Sequence, residues 1–181
     1  LGNPTLKHKQ NRHNAGLLLG DYLVTKLDLN LKKFKHYKLS NTFQIDGTQC
    51  QIALSENYMN ESGKTISKVL KSTNLKSNML LILHDDLDLN LGEVRIKEGG
   101  GHGGHNGLRD IINKIGENNF MRLRIGIGHP GLNNDVTNWV LTKFSPNEKK
   151  ELSKSFSKLK EVFEMICDNQ IHRAQKILHT K

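Results

Sequence analysis

The sequence predicts a single α/β domain over residues 1–181. Two observations carry that reading. Strand-like and helix-like stretches alternate along the chain, as they do in α/β domains. Hydrophobic residues make up 35% and charged residues 25% of the 181, the balance of a folded chain long enough for a sizeable core. No repeat, linker or low-complexity block divides it.

The elements follow in order. Gly2-Asn3-Pro4 is turn chemistry, so a first strand is expected upstream of Leu1. Residues 14–29 read as a helix, with Leu17, Leu18, Tyr22, Leu23 and Leu27 at helical spacing. Short strands are expected over residues 34–37, 42–45 and 49–54, with Asp46-Gly47 as a hairpin turn. Ser62 is expected to cap a helix over residues 63–71 that turns Ile66, Val69 and Leu70 inward. Residues 79–83 form an apolar run ending in His84-Asp85, the pattern of a buried strand with polar groups at its carboxyl end. Residues 92–97 and 121–128 are further strands, and residues 108–115 are helix-like. Residues 132–144 are polar and then apolar at Trp139-Val140-Leu141, and are expected to cover a cleft. Ser145-Pro146-Asn147 opens one long helix with Leu152, Phe156, Leu159, Phe163 and Ile166 three or four apart. A last helix is expected over residues 171–178.

A formal net charge of +9 and an isoelectric point near 9.6 favour a nucleic-acid or other polyanionic partner. No apolar run approaches the ~20 residues of a membrane span. The two cysteines, Cys50 and Cys167, lie far apart in sequence, so no disulfide framework is expected and a reducing cytoplasm is the simplest setting.

The chemistry concentrates in residues 99–107, GGGHGGHNG, where six of nine residues are glycine. Such a loop between a strand and a helix lets a substrate approach the main chain. His13, just before the first helix, is a candidate general base. Asp85, at the carboxyl end of the apolar strand, is the candidate carboxylate to orient it. No G-x-S-x-G occurs and neither cysteine has a suggestive setting, so activated water is favoured over a covalent nucleophile. A metal site built from His102, His105 and the aspartates Asp85, Asp86 and Asp88 is the competing chemistry. Asp86 and Asp88 also read as solvated turn residues, and His84 and His129 as structural. Arg95 and Lys97, two apart on one strand, share a face, as do Arg122 and Arg124 on another. If those faces border the glycine loop, they form a phosphate-binding surface.

Together these segments resemble bacterial peptidyl-tRNA hydrolases. The matching stretches are LGNP at 1–4, RHNAG at 12–16, YMNESGK at 58–64, HDDLDL at 84–89, GGGHGGHNGLRDII at 99–112 and RLRIGIGHPG at 122–131. The resemblance implies a twisted mixed sheet between helices in a three-layer domain, no metal or organic cofactor, and a cytoplasmic monomer that takes peptide off tRNA by ester hydrolysis. It implies His13 as catalytic base and Asp85 as its support. Asn3, Tyr58, Asn60 and Asn106 fall at substrate-binding positions. His8, Arg95, Lys97 and Arg124 fall at positions associated with tRNA, and the family's first strand would precede Leu1. The chain departs from the pattern at Thr5, where glycine is usual, at His8, where tyrosine is common, and at Glu61, where an apolar residue is frequent. A non-catalytic RNA-binding protein on the same scaffold and a metal-dependent hydrolase are the alternative readings.

Overall fold

The computed structural model describes residues 1–131 and 135–179. Two short helical turns, Leu6–His8 and Arg12–Asn14, lead into helix α1 (Ala15–Lys26). The leucine stripe does not set how α1 docks. Its buried residues are Ala15, Gly16, Leu19 and Gly20, and Leu27 stays 37% exposed. Small residues win because the helix lies directly on strand backbone. A Cβ on Gly16 would come within 2.1 Å of the Leu83 carbonyl oxygen. Leu18, Tyr22 and Leu23 pack beside this contact, partly buried.

Strands β1 (Leu31–Lys33) and β2 (Tyr37–Ser40) form a hairpin. Of the strand expected over residues 34–37, only Tyr37 is strand, as the first residue of β2; residues 34–36 are the turn, closed by Phe34 N–H donating to Tyr37 O at 2.8 Å and by stacking of the two rings at 4.9 Å. Strands β3 (Phe43–Ile45) and β4 (Thr48–Cys50) form a second hairpin around Asp46 (φ 46°) and Gly47 (φ 80°), the left-handed pair that a two-residue turn needs. The single strand expected over residues 49–54 splits. β4 pairs with β3, whereas β5 (Ala53–Ser55) pairs with β2, the change of partner being made where Ile52 N–H donates to Ser40 Oγ.

A helical turn at Met59–Glu61 feeds α2 (Ser62–Thr73). Ser62 lies inside this helix and does not cap it; its hydroxyl donates to Met59 O at 2.7 Å. Asn74, in the left-handed conformation at φ 55°, ends the helix.

The central sheet holds β6 (Leu81–Asp86), β7 (Val94–Glu98) and β8 (Met121–Gly126) in the order β6-β8-β7, with β6 parallel and β7 antiparallel to β8. Helix α3 (Asn106–Ile115) connects β7 to β8. One sheet face sends Leu81, Leu83, Val94, Ile96, Leu123 and Ile125 into the main apolar cluster with α1 and the C-terminal helices. On the other, Ile82 joins Ile66, Leu108 and Ile111 beneath α2 and α3. The fold is therefore α/β, with a mixed sheet between helices.

Helices α4 (Val136–Leu141), α5 (Pro146–Ser157), α6 (Leu159–Cys167) and α7 (Ile171–His179) complete the chain. Ser145 caps α5 in a reciprocal box with Glu148. The one long helix expected here breaks at Lys158, whose N–H turns back to Ser155 O at 3.2 Å, an i−3 bond. Apolar spacing continues through the break into Leu159 and Val162, which are fully buried, so sequence periodicity alone does not reveal it. Among the described residues, no helix is long and apolar enough to cross a membrane.

Gly16→Ala should cost about 2–3 kcal/mol in urea unfolding, because the new Cβ meets a backbone carbonyl that cannot swing aside. An unchanged unfolding midpoint would show that α1 does not depend on this approach.

Candidate active site

The close approach of α1 to β6 delivers two side chains to one place. His13 lies in the middle of the helical turn before α1, and Asp85 lies two residues after Leu83. His13 Nδ1 donates to both oxygens of Asp85, at 3.0 Å to Oδ1 and 2.9 Å to Oδ2. His13 is 8% exposed and Asp85 3%. The His13 Nε2 makes no hydrogen bond to protein among the described residues, which leaves its lone pair for chemistry.

A second imidazole reaches the same carboxylate. His105 is the N-cap of α3, and its Nδ1 accepts from Leu108 N–H at 3.2 Å. That bond fixes the tautomer, so Nε2 carries the proton and donates to Asp85 Oδ1 at 3.0 Å. Burial by itself would raise the Asp85 carboxyl; the facing His105 and His13 rings outweigh it and hold the carboxyl well below the usual carboxylate range. His105 is a residue that sequence reasoning placed in the glycine loop without a role there beyond metal ligation. Neither its cap position nor the partner of its other nitrogen was legible, since histidine is not a preferred N-cap and Asp85 lies 20 positions away.

The remaining polar residues converge through the turn at Met59–Glu61. Asn3, 7% exposed, exchanges hydrogen bonds with Asn14 and accepts from Met59 N–H through Oδ1 at 2.8 Å. Met59 packs on Gly107, where a Cβ would come within 2.5 Å of its sulfur and 3.1 Å of His105 Cε1. Tyr58 and Asn60 flank Met59 and are exposed, Tyr58 by 48%. Asn106, next to His105, is exposed as well. Neither Asn60 nor Asn106 uses its side chain in a protein hydrogen bond among the described residues.

The family model for peptidyl-tRNA hydrolase matches residues 1–181. The chain belongs to the peptidyl-tRNA hydrolase family. It is 39% identical over 183 residues to a peptidyl-tRNA hydrolase of Pseudomonas fluorescens, covering 100% of this chain and 94% of that one. It is 40% identical over 182 residues to one from Ruthia magnifica, covering 100% and 95%. A crystal structure of peptidyl-tRNA hydrolase from Acinetobacter baumannii superposes with a TM-score of 0.89 at 38% identity, over 97% of this chain and 89% of that one. The chain is thus a hydrolase of the peptidyl-tRNA hydrolase family, and its α/β fold is that family's fold.

The metal set drawn from the glycine loop is not assembled. His102 Nδ1 accepts from Gly104 N–H at 3.1 Å, within the loop itself. Asp86 does start a turn, accepting from Asp88 N–H at 3.0 Å, but it is not merely solvated: it also accepts from Arg124 Nε at 2.6 Å. His13, Asp85 and His105 do place one ligand atom each within 4.8 Å of one another. Their hydrogen bonds account for that proximity, and a cation there would have to displace both ring protons from the carboxylate.

The basic residues do share one face of the sheet. Register sets Arg95 beside Arg124 and Lys97 beside Arg122. Their uses differ. Arg122, 2% exposed, donates to the carbonyls of Gly100 and Gly101 and so holds the glycine loop onto the sheet. Arg124 pairs with Asp86, and Arg95 with Glu93. Lys97 is exposed and makes no ion pair among the described residues. His8 accepts from Asn11 Nδ2 at 2.9 Å and reaches none of the site side chains.

In the segment expected to cover the cleft, residues 132–134 lie outside the described residues. The rest is anchored. Trp139 Nε1 donates to Gly128 O at 2.9 Å, and the Arg12 guanidinium sits 3.9 Å over the indole ring while pairing with Glu148 at 2.7 Å. Arg12 N–H also donates to Thr142 O at 3.0 Å. α4 is therefore tied to the turn that carries His13.

His84, 3% exposed, packs edge-on against His105 with ring centroids 5.0 Å apart. Its Nδ1–H donates to Asp85 O at 2.7 Å, and its Nε2 is buried without a partner. Burial, then the His105 ring, pushes this imidazole down to about 3 from its ordinary 6.5. Between those values the unfolded chain holds a proton that the folded chain does not. The His84 contribution is therefore fully present above pH 6.5 and is lost as pH falls towards 3, by up to about 1.4 kcal/mol per pH unit. His84→Asn should flatten the fall in stability between pH 7 and pH 5, read from urea midpoints. Parallel slopes for the two proteins would contradict this.

Proposed function

We propose that this hydrolase cleaves the ester joining a peptide to tRNA in peptidyl-tRNA, with His13 as the general base that activates water. The observation that carries the reading is the His13 Nδ1–H bond to Asp85 with Nε2 left open. Neutral His13 takes a proton from water at Nε2. The imidazolium that forms is stabilised through Nδ1 by a carboxylate kept ionised by its two ring donors. His105 orients that carboxylate through its own bond to Oδ1. The ester is activated relative to an amide, so a positioned base with hydrogen-bond donors suffices.

Asn60 and Asn106 carry amides with no protein partner among the described residues, suited to hold the substrate near the scissile carbonyl and to donate to it as negative charge develops. Asn3, fixed by Asn14 and Met59, is suited to read the peptide next to the ester. Exposed Tyr58 offers a ring beside it. Lys97, with Arg95 and Arg124 in partial use elsewhere, offers phosphate contacts on the sheet face next to the glycine loop. His8 is an outlying tRNA contact in this reading. In this reading the protein is one domain over residues 1–181, acting as a cytoplasmic monomer and needing no metal or organic cofactor.

His13→Ala and Asp85→Asn should each slow hydrolysis of N-acyl-aminoacyl-tRNA by about 10²–10⁴-fold while tRNA binding is largely kept. Loss of binding with unchanged turnover per complex would point to a binding role. Turnover should survive EDTA, and loss that zinc or magnesium restores would favour the metal-dependent reading. Lys97→Ala should weaken substrate binding and lower the slope of log affinity against log salt by roughly one. An unaltered slope would remove Lys97 from the phosphate contacts.

A further inference from the structure

The two cysteines are 117 positions apart in the chain, yet Cys50 Sγ and Cys167 Sγ lie 3.5 Å from each other. Each is only partly buried and neither is in a disulfide. Cys50 ends β4, at the base of the β3–β4 hairpin, and Cys167 ends α6. The hairpin pairs with neither of the other sheets, and Thr48 Oγ1 donating to Cys167 O at 3.2 Å is a second tie at the same point. We propose that Cys50 and Cys167 form a reversible modification site, a dithiol that closes to a disulfide by exchange with a low-molecular-weight disulfide and pins the hairpin to α6.

The step balances. The Cys50 thiolate attacks one sulfur of the small disulfide; a mixed disulfide forms, and one small thiolate leaves and takes up the first proton. The Cys167 thiolate then attacks Cys50 Sγ, expelling the second small thiolate, which takes up the second proton. The protein gives up two electrons and the reagent becomes two thiols. This order follows from the surroundings. Burial, then the contact with the Cys50 thiol, and then the Asp168 and Asp46 carboxylates push the Cys167 thiol up to about 12. Forming the mixed disulfide on Cys50 removes the thiol from that contact, which relieves one of the causes holding Cys167 protonated, while the 3.5 Å approach leaves the Cys50 sulfur within its reach. The two nearby carboxylates disfavour an anionic disulfide, and a neutral one meets no such repulsion.

The test treats the whole reduced protein with the neutral reagent bis(2-hydroxyethyl) disulfide. The expected result is loss of both titratable thiols in monomeric protein, and a peptide pair containing Cys50 and Cys167 that is lighter by two hydrogens. A rise in melting temperature on the order of 5–10 °C should accompany it and reverse with dithiothreitol. Cys50→Ser and Cys167→Ser should each fold, keep one thiol that stops at the mixed disulfide, and show no such rise. Stable mixed disulfides in the wild-type chain, or a covalent dimer in place of the internal bond, would overturn the proposal.

Discussion

One carboxylate organises this site. Asp85 is buried at the end of a central strand and accepts from two imidazoles that arrive on separate elements. A buried ionised carboxylate is costly without partners. Here each partner is locked elsewhere: His105 by capping α3, and His13 by the turn that leads into α1. The two N–H donors make the charged form the stable one, and the charged form fixes which nitrogen of His13 faces outward. Disturbing any of these groups alters the others, because they share the same few lone pairs.

Backbone proximity makes that arrangement possible. α1 meets the sheet through Gly16, and the turn at Met59–Glu61 meets α3 through Gly107. At each place a side chain would fill the gap that a neighbouring backbone carbonyl or methionine sulfur occupies. The glycine-rich loop is likewise held by Arg122, which looked in sequence like a phosphate ligand and is spent on the Gly100 and Gly101 carbonyls. The loop is thus tethered to a central strand at one end and to a helix cap at the other. Positive charge on the neighbouring sheet face is graded by its acidic partners, from Arg124 and Arg95, which are paired, to Lys97, which is not.

Much of the fold was legible because local rules agree with it. The Asp46-Gly47 hairpin, the Ser145 capping box and the apolar run into β6 each rest on chemistry confined to a few residues. The errors share a cause as well. Residues 34–36 include a strand-forming aromatic but close a turn, with the Phe34 ring stacked on Tyr37, the first residue of β2. The leucine spacing of α1 marked the helix correctly, but not that Gly16 and Gly20 would be its closest approach to the rest of the fold. Lys158 interrupts an apolar rhythm that continues on both sides, so periodicity had no means of marking it.

The amino-acid sequence by itself determined the α/β class and the family, and nominated His13 with Asp85, because these depend on residue type, short spacing and motif. Tertiary structure decided the rest: that His105 shares Asp85 with His13, that Arg122 serves the loop and Lys97 stays unpaired, and that Cys50 meets Cys167. Hydrogen-bond partners and charge neutralisation act over a few ångströms between groups tens of residues apart. No local pattern in a chain encodes such distances until packing sets them.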